Sequence, residues 1–62
     1  MLRLTQEREK LKLTMFKLGA LVEIHPAEIS RLESGRTKPY EKWQRKLERF
    51  FDVPADELFK EV

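Results

Sequence analysis

Apolar residues recur along the chain at spacings of three and four, and no alternating Val/Ile/Thr run occurs, so the pattern predicts helices and no strand. Leu4, Arg8 and Leu11 fall along one face of a first helix that ends near Lys12. Thr14 then offers a side-chain oxygen as N-cap for a second helix over about residues 15–21, with Leu18, Leu21 and Val22 on its inner face. Pro26 suits the first position of a third helix, where its missing N–H costs nothing and its φ is already set. His25 precedes it as an unusual cap, Ile29 and Leu32 point inward, and Gly35 closes the helix as a left-handed residue. Beyond a loop at 36–39, a fourth helix over about 40–51 gathers Trp43, Leu47, Phe50 and Phe51 into a broad apolar stripe. Pro54, at a second first-turn position, opens a short fifth helix whose inward residues are Leu58 and Phe59. The expectation is an all-α fold of five short helices, one domain over residues 1–62.

Length changes this picture first. A chain of 62 residues buries only about 60% of the surface its unfolded form exposes, so its core is marginal. Disulfides, a metal or oligomerisation commonly reinforce such a domain. With no cysteine and a single histidine, His25, neither a disulfide nor a zinc site is expected, which leaves self-association. No apolar run approaches the roughly 18–20 residues that span a bilayer, and charges begin at Arg3 with no apolar leader segment behind them, so a cytoplasmic setting is expected. The net charge is only +2 but unevenly spread: residues 1–30 carry +1, residues 31–49 carry +4 and residues 50–62 carry −3. A basic middle beside an acidic tail suits a polyanion contacted by one part of the fold, or a solvated helical surface with uneven charge.

The most informative stretch is residues 13–39, LTMFKLGALVEIHPAEISRLESGRTKP. Two helices separated by a turn at 22–25 have the spacing of a helix-turn-helix. The stretch resembles the Cro/repressor-type (XRE-like) family, whose pattern reads L-T-Q-x-x-L-A-x-x-x-G-V-S-x-x-x-I-S-x-x-E-x-G-x-x-x-P. Leu13, Thr14, Leu18, Ile29, Ser30, Glu33, Gly35 and Pro39 match it, Ile24 conservatively replaces Val, and the family's ending recurs as Val53, Glu57, Leu58 and Phe59. Several positions besides His25 depart from the family. Met15 stands where the family has a phosphate-clamping Gln, and Glu7 where the first helix has Leu. Gly19 replaces Ala, at about 1 kcal/mol of helix propensity, and Glu23 fills a turn position that calls for a positive φ.

The resemblance implies a lambda-repressor-like DNA-binding domain with its helix-turn-helix at about residues 15–34, prokaryotic or phage-encoded. It places the third helix in the major groove with Pro26, Ala27, Glu28 and Arg31 toward the bases. Arg31 is the strongest candidate, because its planar fork donates two hydrogen bonds to guanine O6 and N7. Pro26 and Ala27 offer only apolar contact with thymine methyls, and Glu28 either accepts from cytosine N4 or repels phosphate. Thr14, Met15, Ser34, Arg36, Lys38 and Tyr40 are the implied contacts to the sugar-phosphate backbone, with Lys42 and Arg45 extending them; such contacts set register without reading sequence. The start of the second helix adds free N–H groups and the helix dipole. Arg8 and Glu33 occupy the positions of a structural ion pair between the first and third helices.

The leading expectation is therefore a small repressor-like transcriptional regulator that binds a palindromic double-stranded operator as a homodimer. Phe51, Leu58, Phe59 and Val62 are the suggested self-association surface. The alternative is a protein-interaction module that keeps the fold without specific DNA binding. It is motivated by the absent Gln and by apolar Met15, Phe16 and Leu21, which mean either a rotated second helix or an exposed patch for a partner. No nucleophile-base set, metal cluster or phosphate loop is visible, so neither catalysis nor a cofactor is expected.

Overall fold

The computed structural model describes residues 1–35 and 39–62. Among these residues five short helices follow one another: α1 (Arg3–Lys10), α2 (Met15–Val22), α3 (Pro26–Ser34), α4 (Glu41–Phe51) and α5 (Ala55–Leu58). Among the described residues there is no strand, only an isolated antiparallel bridge between Leu2 and Glu61. The fold is all-helical. Leu4, Leu18, Ile29, Leu32, Leu47 and Leu58 are fully buried at its centre, joined by Leu2, Val22 and Ile24. Trp43, Phe50, Phe51 and Phe59 pack around that centre as half-buried walls. The helices α2 and α3 pack most closely together, while α4 leans on α2 and on α5.

Helix ends account for the places where the structure departs from the periodicity. α1 stops at Lys10, since the N–H groups of Leu11 and Lys12 turn back to Arg8 and Glu9, and Lys12 adopts a left-handed φ of 57°. Leu11 is thereby swung into solvent rather than inward. In α2, Leu18 and Val22 are buried one turn apart and Leu21, one residue off that line, is exposed. Tyr40 precedes α4 as its cap residue. Pro54 likewise precedes α5 rather than opening it: its carbonyl accepts from the Glu57 and Leu58 N–H groups. The cap of α5 comes from α4, where Glu48 accepts from the Ala55 N–H at 2.6 Å.

The ends of the described chain are tied together. The Arg3 N–H donates to the Lys60 carbonyl and the Val62 N–H to the Met1 carbonyl, both at 2.8 Å. Arg3 also reaches Glu57 on α5 at 3.2 Å. Glu7, in a position that suggests a core leucine, is half-buried and ion-paired to Arg3 and Lys10, each at 3.3 Å. Among the described residues no helix is long and apolar enough to cross a membrane.

Several of these contacts make folding acid-sensitive. The Ala55 N–H, then Arg45, hold the Glu48 carboxyl below its ordinary pKa. Lys60, then Arg3, do the same for Glu57. A carboxylate depressed in the folded state stabilises above its unfolded value, about 4.3 for Glu, and that contribution disappears as pH falls through the depressed value. The thermal midpoint is therefore expected to stay flat from about pH 7 to 5 and to fall below about pH 4. Glu48→Gln, which does not titrate, should shrink that acid loss; an equally steep loss in the variant contradicts the assignment.

Candidate nucleic-acid interface

The third helix is locked in place on its inner side. Ile29 and Leu32 are fully buried. His25 caps the N-terminus through Nδ1, which accepts from the Ala27 N–H at 3.0 Å. Gly35 ends the helix at φ 76°, the left-handed region that glycine enters without strain. Glu33 reaches across to Arg8 on α1 in a two-pronged pair, Nε to Oε2 at 2.7 Å and Nη2 to Oε1 at 3.0 Å. The remaining arm, Arg8 Nη1, donates to the Leu13 carbonyl at 2.7 Å. The Glu33 side chain is 4% exposed and that of Arg8 10%. Their mutual hydrogen bonds raise the Arg8 pKa still further, so the guanidinium stays charged. Among the described residues every buried side-chain polar atom has a partner.

The outer side of α3 is open. Ala27, Ser30, Arg31 and Ser34 are exposed, with Pro26 and Glu28 half-buried beside them. Arg31 Nη1 donates to Glu28 Oε1 at 2.8 Å, one turn back on the same face. The Ser34 hydroxyl donates to the Arg31 carbonyl at 2.7 Å.

The turn between α2 and α3 is tight. Glu23 takes the left-handed conformation, φ 58° and ψ 46°, which stores strain in a side-chain-bearing residue. Both its N–H and that of Ile24 point back at the Gly19 carbonyl, the Ile24 bond being 3.0 Å. That six-residue closure brings the turn so close to α2 that a Cβ on residue 19 would collide with the Ile24 carbonyl oxygen. Lys46 on α4 donates to the Glu23 carbonyl at 3.1 Å, fastening the turn from the far side.

At the start of α2, Thr14 Oγ1 accepts from the Lys17 N–H at 3.0 Å. The two preceding N–H groups, of Met15 and Phe16, belong to the first turn and have no helical acceptor. Met15 packs its side chain against the core. Leu18, Gly19 and Val22 stay buried, so α2 is not rotated, and Phe16 at 72% and Leu21 at 57% are exposed. Five residues apart, Phe16 and Leu21 point about 140° away from each other. With Met15 turned inward, the three do not form one continuous patch.

A family model described as helix-turn-helix matches residues 4–58. The chain belongs to the helix-turn-helix family. It is of the Cro/repressor, XRE-like type, a family of DNA-binding regulators. Neither a curated protein nor a solved structure matches it significantly.

In this helix-turn-helix, α2 and α3 form the two-helix unit, with residues 23–25 as its turn. Among the other expected backbone contacts, Tyr40 is exposed, its ring edge-on to Trp43 at 4.8 Å between centroids. Arg36 and Lys38 lie outside the described residues. Arg45 is not an open cation, since Glu41 at 3.1 Å and Glu48 at 3.2 Å both accept from it. Lys42 is exposed. Two exposed polar side chains join the expected ones, Lys17 in the first turn of α2 and Ser30 on the outer face of α3. Helical spacing was the available signal: Ser30 falls four residues after Pro26, and Lys17 three after Thr14.

The suggested self-association surface loses its centre. Leu58 is fully buried in the chain's own core, and Phe51 and Phe59 pack against that core. Phe51 also meets Phe50 edge-on at 4.9 Å. Of the four residues only Val62 is exposed.

Proposed function

We propose that this chain is a sequence-specific double-stranded DNA-binding regulator that lays α3 in the major groove. The observation that carries this reading is the two-sidedness of α3. Its inner face is fixed to α1 by the Arg8–Glu33 pair, while Arg31, Ser30 and Ala27 stand in solvent on the outer face. A rigid helix with an exposed guanidinium and hydroxyl suits readout of base edges. Thr14, the first-turn N–H groups of Met15 and Phe16, and Lys17 would hold one phosphate run. Ser34, Tyr40 and Lys42 would hold a second, together with Arg36 and Lys38. The protein would act as a repressor, two copies meeting a palindromic operator, with Val62 and the rims of Phe51 and Phe59 available for the contact.

Binding to a mixed-sequence duplex, followed as salt is added, tests the reading. A complex that forms at low salt and weakens steadily is expected. A second reading, a helix-turn-helix module that docks a protein, is favoured by the exposure of Phe16 at the start of α2. It is the one left standing if no duplex binds.

A further inference from the structure

We propose that Glu28 is a positioning residue that dedicates Arg31 to guanine readout; this rests on the DNA-binding reading above. Three features of the α3 surface carry it. Glu28 lies three residues before Arg31, so both stand on the same outer face, and Glu28 Oε1 accepts from Arg31 Nη1 at 2.8 Å. Glu28 is the more enclosed of the two, its side chain 27% exposed against 62% for Arg31, so the carboxylate is the anchor and the guanidinium the group being held. Finally, the bond engages only one corner of the fork. The side-on N–H pair, Nε and Nη2, is left intact, and that pair is one of the two guanidinium edges able to donate bidentately to guanine O6 and N7.

The carboxylate also alters what Arg31 does with its charge. An unpaired exposed arginine is drawn to whichever phosphate is nearest, because that attraction is long-ranged and independent of sequence. Beside Glu28 the local charge is balanced and the side chain gains little from phosphate. Hydrogen-bond geometry at a base edge then decides where it sits. The order of the pair, acid before base along the helix, also agrees with the helix dipole. Glu28 thus neither reads cytosine nor serves only to repel the backbone; it selects between two uses of its neighbour.

The test is selection of bound sequences from a random duplex pool, run on the whole chain as wild type, E28A, E28Q, R31A and the E28A/R31A double variant. The pair lies on the outer face of α3, outside the core, so each variant should fold, which a thermal melt checks. Wild type is expected to select a guanine that R31A no longer selects. E28A should lose roughly tenfold or more of that preference. At the same time it should bind unselected duplex more tightly, with a log–log salt slope steeper by about one unit. E28Q retains an acceptor for Nη1 and should keep part of the preference. In the R31A background, E28A should change base preference no further.

Identical guanine selection by wild type and E28A overturns the proposal, as does an equal effect of E28A with and without Arg31. If wild type binds duplex in a salt-dependent way but selects no guanine, this inference fails and the DNA-binding reading stands. If wild type binds no duplex at low salt, both fall.

Discussion

Glu33→Ala is expected to remove about 3–5 kcal/mol, much of the chain's stability. The substitution leaves the buried Arg8 guanidinium with the Leu13 carbonyl as its hydrogen-bond acceptor and the exposed Glu9 carboxylate, 3.9 Å away, as its remaining counter-charge. Removing one partner of a buried ion pair costs about 3–5 kcal/mol. The total stability of a 62-residue chain is about 3–9 kcal/mol, at roughly 0.05–0.15 kcal/mol per residue. The two magnitudes are comparable, so the loss removes much of the stability. Arg8→Ala should be nearly as damaging, because Glu33 would then be the uncompensated charge. The double variant Arg8→Met/Glu33→Leu should recover much of the loss. It removes both charges together and fills the space with apolar atoms, leaving the Leu13 carbonyl short of one partner at about 1–3 kcal/mol. Urea unfolding followed by circular dichroism measures all three. A Glu33→Ala midpoint close to wild type would show that the pair does not hold α3 to α1.

Gly19→Ala carries the second large effect, with a sign opposite to the usual one. In an exposed helix the change stabilises by about 1 kcal/mol, because alanine is the better helix former. Here the added Cβ meets the Ile24 carbonyl oxygen at less than contact distance, and also the Pro26 nitrogen at 3.3 Å and Cδ at 3.4 Å. Two of those atoms are backbone and the third is a ring carbon fixed to it, so relief requires moving the turn as a unit. That movement lengthens the Ile24 N–H to Gly19 bond and pulls at the Lys46 anchor on Glu23. Overpacking of this kind costs about 1–3 kcal/mol. Since a chain of this size loses about 4–8 °C per kcal/mol, the melting temperature should fall by about 10 °C. A midpoint that rises would mean the turn stands farther from α2 than the structure has it.

Those two residues show where reading the sequence succeeds and where it stops. The helices were legible because their punctuation is chemical: the Thr14 hydroxyl, the fixed φ of Pro26 and the achiral Gly35 each mark an end by a local property. The core leucines followed from spacing alone. Leu11 was misplaced because α1 is closed by Lys12, a left-handed residue of a kind that does not announce a stop, and Leu21 because it lies one residue off the buried line of Leu18 and Val22. Leu58 reads both as an inward residue and as part of a surface for a partner, because a helix as short as α5 has too little periodicity to tell which side α4 covers.

The departures at positions 19 and 23 read, in sequence, as two unrelated weaknesses. In the structure they are two ends of one closure: the Gly19 carbonyl takes the N–H groups of Glu23 and Ile24, and the bare Gly19 Cα leaves room for the turn to approach. Close approach between non-adjacent backbones leaves no periodic trace. The candidate site divides in the same way. The positions of Arg31 and Glu28 on one helical face were visible from their numbers. That the guanidinium donates to this carboxylate with one corner, leaving the other edge open, needed coordinates.

The measurement that tests the central claim most directly is the affinity of the chain for an unselected mixed-sequence duplex across a range of salt concentrations. If α3 and its flanking cations meet DNA, binding is detectable at low salt and log affinity falls linearly with log salt, by about 0.9 for each phosphate neutralised. With the cations that border α2 and α3, a slope between about −2 and −5 is predicted. No binding at low salt, or an affinity that does not change as salt rises, would contradict the claim that this helix-turn-helix works on DNA.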